Sequence, residues 1–194
     1  EDRFEEVKKV LEELIAQKHR VSLKVLDIGV GDGIYEAILG NDIRERCEFF
    51  GIDISKEQAA RAKKYLKEIK IIDINSKDFP YKNNYFDIVI ASEILEHVFY
   101  PEKVLNEAQR VLKRNGFMVI TFPNSSSLQF RLGVFFKGSS PLLNYPENRE
   151  HIRFFTSSDI QRLMNGDVRL LKKTGLGSFL FDKWILGRIF GDSV

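Results

Sequence analysis

The chain has 194 residues, and 30 basic side chains nearly balance 28 acidic ones for a net charge of +2. That length allows one domain with a sizeable core, and the balance argues against a nucleic acid partner. A single cysteine, Cys47, excludes an intrachain disulfide framework and suits a reducing compartment.

The N-terminus has no basic-then-apolar leader pattern, and no apolar run reaches the ~20 residues of a membrane span. The expectation is one cytoplasmic domain over residues 1–194, beginning at Glu1 and not at Met, which leaves room for residues ahead of it. Residues 1–18 place Phe4, Val7, Val10, Leu11, Leu14 and Ile15 at steps of three and four between charges, the pattern of an amphipathic helix laid on a domain. Residues 21–28 read as a first strand, running into Gly29, Gly31 and Gly33 and then a helix over 33–39, interrupted at Gly40-Asn41-Asp42. A second strand covers 49–53, a helix with Ser55 at its N-cap covers 55–70, and a third strand covers 69–74. A fourth strand at 86–91, a helix at 101–112 and a fifth strand at 116–122 follow. Strands alternating with helices at this spacing predict right-handed crossovers and an α/β fold: a doubly wound, mainly parallel seven-stranded sheet between two helical layers.

After Pro123 the rhythm breaks. An insertion over about 124–155 is too long for a connector and reads as a lid or substrate-side element, with a surface excursion or dimer contact as the plainer alternative. Thr156 caps a last helix reaching Met164, and closing strands begin at Val168. The apolar run 179–190 is too short to span a bilayer; it fits the last strands, a homodimer patch or an interfacial contact.

The densest signal is Asp27, Gly29, Gly31 and Gly33 at the end of the first strand. Alternate glycines let the backbone take left-handed angles and bare one face of the turn, so a ligand can lie against peptide. The spacing is GxGxG behind an acid; a dinucleotide fingerprint needs glycine at 34, where Ile34 stands. Asp27 would repel a pyrophosphate but can pair with a cationic ammonium, so Ile34 and Asp27 together disfavour a nicotinamide dehydrogenase. The pattern resembles the first motif of the class I S-adenosylmethionine-dependent methyltransferases, and the resemblance covers about residues 23–163. In open α/β sheets the ligand lies across the carboxyl ends of the strands. There Asp53, 20 residues beyond Gly33, is placed to accept ribose hydroxyls or else to act as an N-terminal charge for the helix starting at Ser55. The resemblance implies cofactor contacts at Asp27, Gly29, Gly31, Gly33, Asp53 and its neighbour Ile54. It also implies adenine contacts at the Asp73 carboxylate and the Ile74 amide, with Asn75 and Asp78 competing for that role, and places Ala91 and Ser92 beside the sulfonium. Tyr85-Phe86-Asp87 matches the family's approach to strand four.

The string Ser92-Glu93-Ile94-Leu95-Glu96-His97-Val98 adds chemistry, with Glu93 read as sharing a helical face with Glu96 and His97. It resembles ubiquinone-pathway O-methyltransferases and small-RNA 3′-terminal 2′-O-methyltransferases, in which such residues are linked to a divalent ion beside the acceptor hydroxyl. The RNA branch also uses a histidine after a Pro-Asn strand exit, matched here by Pro123-Asn124 and His151, although the near-neutral charge argues against that branch. The resemblance implies a metal set of Glu93, Glu96, His97 and His151, suited to Mn²⁺, Fe²⁺ or Zn²⁺. The alternatives are His97 or His151 as a general base or substrate-positioning group, or a structural hydrogen bond within the loop.

Residues 122–124, 131–138, Pro141 and 153–159 also resemble MetW-type proteins of methionine biosynthesis. That likeness implies an S-adenosylmethionine-binding partner of a homoserine acyltransferase in place of an enzyme. The leading expectation is a methyltransferase for a small-molecule acceptor of isoprenoid or quinone type, admitted past Tyr145, His151, Arg153 and Phe154.

Overall fold

The computed structural model describes residues 2–18, 22–138, 150–164, 168–176 and 181–188. Strands β1 (Leu23–Ile28), β2 (Cys47–Asp53), β3 (Glu68–Ile71), β4 (Phe86–Ser92) and β5 (Leu112–Pro123) pair in parallel. Strands β6 (Val168–Leu176) and β7 (Phe181–Arg188) complete the sheet in antiparallel pairing. The order is β3-β2-β1-β4-β5-β7-β6, so the chain reverses its direction of travel across the sheet between β1 and β4. A crevice opens at such a switch point, above the carboxyl ends of the strands.

Helices cover both faces: α1 (Asp2–Gln17), α2 (Ile34–Ile38), α3 (Asn41–Glu45), α4 (Lys56–Ala62), α5 (Pro101–Val111), α6 (Leu128–Lys137) and α7 (Ser157–Leu163). Alternation along each strand divides the interior in two. Val25, Phe49, Ile88 and Ile90 pack with Val7, Leu11, Ile15 and Tyr35 on one side. Leu26, Phe50, Val89 and Ala91 pack with Val104, Leu105 and Ala108 on the other. With both faces covered, the strands read as near-continuous apolar runs.

The structure corrects several expected boundaries. The helix expected to 70 ends at Ala62 and passes through a single 3₁₀ turn, Lys63–Tyr65, before Leu66 turns extended at φ −109° and ψ 140°. That frees residues 68–71 to pair with β2 from Phe50 to Asp53. Because β2 stops at Asp53, β3 stops opposite it at Ile71, so Asp73 lies in the loop beyond the strand and not at its tip. The break at Gly40 separates two short helices, α2 and α3, and β5 begins earlier than expected, at Leu112. Within the insertion, α6 occupies Leu128–Lys137, while Pro141 and Tyr145 lie outside the described residues. Part of the apolar C-terminal run is β7, paired with β5 from Pro123↔Phe181 to Phe117↔Gly187.

Candidate functional site

The turn after β1 is built by its glycines: Gly29, Gly31 and Gly33 have φ of 75°, 54° and 74°. They do different work. A Cβ at Gly29 would meet Ile94 Cδ1 at 2.7 Å, and one at Gly33 would meet Ala62 Cα at 3.2 Å, whereas one at Gly31 would meet nothing within 4 Å. Gly31 thus presents bare backbone to open space, and Gly33 lets α4 pack against the turn. Two adjoining hollows flank this turn. The larger, about 450 Å³, is lined by Gly29, Gly31, Asp53, Ile54, Gln58, Asp73, Ile74, Asn75, Glu93, His97 and neighbours. The smaller, about 250 Å³, is lined by Phe4, Asp27, Tyr35, Gln58, Ser92 and Glu93, and shares Gly29 and Gly31.

Asp53 is buried at the tip of β2 and held by two backbone donors: the Gly31 N–H at 2.8 Å and the Ser55 N–H at 2.7 Å, one on each carboxylate oxygen. Each oxygen keeps a lone pair for a ligand hydroxyl. The Asp73 carboxylate accepts the Asn75 N–H at 2.9 Å, and that bond holds it below the usual carboxylate range. The Asn75 side chain accepts the Phe99 N–H at 2.7 Å, tying the loop after β3 to the loop after β4.

Behind the turn the site is rich in buried acid. Burial first, then the carboxylates of Glu36 and Asp53, push the Asp27 carboxyl well above its ordinary range. Glu36, on α2, is fully buried, and burial pushes it up to about 7. Neither Glu36 oxygen meets a hydrogen-bond partner of acceptable geometry, and its own backbone amide offsets only part of the burial. Three carboxyls so placed favour a cationic ligand and oppose a phosphate. Next to them, Ser92 Oγ lies 2.6 Å from Tyr35 Oη and 2.7 Å from Thr121 Oγ1, and Thr121 donates to Glu93 Oε1 at 2.9 Å. This chain locks the tips of β4 and β5 to α2.

The loop after β4 departs from the expected helix. Glu93 has φ 51°, and a 3₁₀ turn follows at Leu95–His97, so Glu93 does not share a face with Glu96 and His97. Its carboxylate goes to Thr121 and the hollows. The structure instead gathers Glu96, His97 and His151, with one ligand atom of each within 4.8 Å of the others. The loop carrying His151 is held by the Ile152 and Arg153 N–H groups, which donate to the Glu96 carbonyl at 2.9 and 3.1 Å. The two imidazoles meet edge to face at 4.7 Å, and His151 Nε2 lies 4.0 Å from Glu96 Oε1. Burial, and then His97, hold the His151 imidazole below its usual range, and its Nδ1 is buried without a partner. His97 Nδ1 lies 3.2 Å from the Glu150 carbonyl. A carbonyl only accepts, so Nδ1 is the donor in this contact, and of the two histidines His97 lines the larger hollow.

Of the residues singled out from sequence, the structure brings Asp27, Gly29, Gly31, Asp53, Ile54, Asp73, Ile74, Ser92, Glu93 and His97 to the hollows. Gly33, Glu96 and His151 stand behind them. Asn75, the alternative to Asp73, also lines the larger hollow, whereas sequence reasoning missed Gln58, Tyr35 and Phe4 as lining groups and Glu36 as a buried acid. Phe4 reaches the smaller hollow from α1, where the helical repeat marked it only as a core-facing position.

A match to the methyltransferase domain family spans residues 26–120, from β1 to the middle of β5. An uncharacterized protein of Methanocaldococcus jannaschii is 36% identical over 104 residues, 54% of this chain and 46% of that one. Ubiquinone biosynthesis O-methyltransferase of Bradyrhizobium diazoefficiens is 29% identical over 171 residues, 84% of this chain and 66% of that one. The chain spans about half the length of the first curated relatives it matches. Among solved structures, magnesium protoporphyrin IX methyltransferase of Synechocystis PCC 6803, crystallised with bound SAH, superposes with a TM-score of 0.73 at 15% identity. The match covers 96% of this chain and 84% of that one, and at that identity the likeness is one of fold.

Proposed function

The chain belongs to the class I S-adenosylmethionine-dependent methyltransferases, and from that premise we propose that it methylates a hydroxyl of a small acceptor of isoprenoid or quinone type. The observation that carries the cofactor assignment is the acid cluster of Asp27, Glu36 and Asp53 behind a glycine turn with bare backbone at Gly31. S-adenosylmethionine brings an ammonium and a sulfonium to such a place, whereas a pyrophosphate would face the Asp27 and Asp53 carboxyls with Glu36 buried behind them. Asp53 would accept the ribose hydroxyls, Asp73 and the Ile74 amide would meet the adenine edge, and Asp27 with Ser92 would face the amino acid end.

When bound, the cofactor supplies an electrophilic methyl group whose bond to sulfur breaks as a bond to the acceptor oxygen forms. The chain's share is alignment of the two partners and removal of the acceptor proton. His97 Nε2 is the proposed base, its ring fixed by the bond to the Glu150 carbonyl. The acceptor class is supported by the quinone-pathway relative and by the exposed apolar side chains at the same sheet edge, among them Phe99, Ile152 and Phe154.

A second reading gives Glu96, His97 and His151 a divalent ion. One carboxylate and two imidazoles suit a borderline cation, the three donors converge, and the buried Nδ1 of His151 is unsatisfied. Such an ion would lower the pKa of the acceptor hydroxyl.

Calorimetry with S-adenosylhomocysteine tests the cofactor half: uptake by the native chain and strong loss in Asp53→Ala support it, and no uptake removes it. Labelled-methyl transfer to a panel of catechols, hydroquinones and amines tests the acceptor half, and transfer confined to amines overturns it. A thermal shift on adding Mn²⁺ that vanishes in Glu96→Gln would establish the ion.

A further inference from the structure

Helix α6 is built unlike the other helices of the fold. Its sequence, LQFRLGVFFK, has no acidic residue, and its charged side chains are the cations Arg131 and Lys137. Phe135 and Phe136 are 80% and 76% exposed, Leu132 and Val134 are 45% and 41% exposed, and Arg131 and Lys137 are exposed among them. The two phenyl rings pack on each other edge to face at 5.0 Å. The helix is nonetheless well made: the Ser127 hydroxyl caps its start, and Gly138, at φ 64°, closes its end. A helix with ordered ends that leaves its largest apolar side chains in the open is shaped for a surface outside the chain.

The charges say which surface. Between Glu107 and Glu147 the sequence contains no acidic residue, while Arg131 and Lys137 flank the exposed aromatics. At 10 residues the helix is about 15 Å long, half the thickness of a bilayer core. No described helix is long and apolar enough to cross a membrane. Aromatic and aliphatic side chains bracketed by cations, on a helix too short to span, fit a helix lying in the headgroup layer of an anionic bilayer.

Position adds to the argument. Helix α6 leaves the carboxyl end of β5, and the Asn124↔Phe155 bridge and the Ser125 N–H to Phe155 carbonyl bond at 2.8 Å fix its root. Phe99 and Tyr100, 58% and 56% exposed, follow the carboxyl end of β4, and Arg153 donates to the Phe99 carbonyl at 2.7 Å. Apolar groups and the larger hollow therefore share one edge of the sheet.

We propose that α6 seats the chain on an anionic lipid surface, with Phe135 and Phe136 inserted among the headgroups and Arg131 and Lys137 meeting lipid phosphates. The purpose of the contact, delivery of a lipid-dissolved acceptor, rests on the acceptor reading above; the contact itself does not.

Vesicle flotation with no acceptor present tests it. The purified chain is mixed with phosphatidylcholine vesicles, or with vesicles also containing phosphatidylglycerol. Co-flotation with the anionic vesicles, and much less with the neutral ones, is expected. Phe135→Glu/Phe136→Glu is expected to abolish it, and Arg131→Gln and Lys137→Gln to weaken it roughly fivefold each. All four positions lie outside the cofactor hollows, so unchanged S-adenosylhomocysteine uptake by calorimetry certifies that each variant is folded. Failure of the native chain to float, or flotation indifferent to all three variants, overturns the proposal. A sedimentation shift from dimer to monomer in the Phe variant, without vesicle binding, assigns the face to a second copy and also overturns it. A failed acceptor panel with intact flotation removes only the acceptor reading.

Discussion

The Gly31 N–H and the Asp53 carboxylate, 22 residues apart in sequence, meet at 2.8 Å and join the turn after β1 to the tip of β2. A second donor, the Ser55 N–H, fixes the other oxygen, so Asp53 is oriented before any ligand arrives. Charge-assisted hydrogen bonds of this kind contribute about 1.5–3 kcal/mol each. Asp53→Ala is therefore expected to weaken S-adenosylhomocysteine binding by roughly 10- to 100-fold, as read by calorimetry, while circular dichroism reports a folded chain.

The three glycines should separate binding from stability. At Gly31 an added methyl meets no atom of the protein, so Gly31→Ala is expected to cost only the left-handed strain of about 1–2 kcal/mol and to lose cofactor uptake. At Gly33 the methyl would press on the Ala62 backbone, and Gly33→Ala should lower the denaturation midpoint more than Gly31→Ala does. Urea titration with parallel calorimetry checks the ordering.

Glu36 sets a pH dependence whose sign can be worked out. Below its ordinary value of 4.5, folded and unfolded chains both hold the proton. As pH rises from there the unfolded chain releases it, while the folded chain keeps it until about 7. Stability falls through that window by on the order of 3 kcal/mol and stays lower above it. Glu36→Gln removes the fall, so the variant should melt higher than the native chain on the alkaline side of the window and no higher on the acid side. Thermal melts across that range measure it.

The same acids make ligand binding proton-linked. A cation beside Asp27 and Glu36 favours their charged forms, so uptake should release protons, and affinity should rise with pH through the titration. Calorimetric enthalpies in two buffers of different ionisation heat give the number released. Zero release would show that the ammonium does not reach these groups.

His97→Ala is expected to reduce kcat by about 10²- to 10⁴-fold with S-adenosylhomocysteine affinity nearly unchanged, as read by labelled-methyl transfer beside calorimetry. Removal of ions with a chelator distinguishes the metal reading, since a direct base is indifferent to it.

Much of the site was legible because it hangs on strand ends. The β1–turn–α2 sequence, the acid at the tip of β2 and the Ser92 position all follow from short apolar runs breaking at glycine or a polar residue, and the structure brings them to one crevice. What escaped was set by pairing and packing. Asp73 leaves the strand because β3 can run no further than its partner, a limit written in β2 and not in β3. Glu93 leaves the helical face because its backbone is left-handed, which no spacing rule signals for a glutamate. Glu36 carries no mark of burial in the sequence, and only the packing of α2 against the sheet buries it.

Strand β7, the last of the described strands, lies between β5 and β6, and its pairing runs along β5 from Phe117 to Pro123. While the chain is still being made on the ribosome, that flank of β5 has no neighbour, and Thr121, which steadies Ser92 and Glu93, stands on a raw border. A chain cut short of residue 181 therefore keeps a sticky border along β5, because residues 181–188 are the segment that covers it.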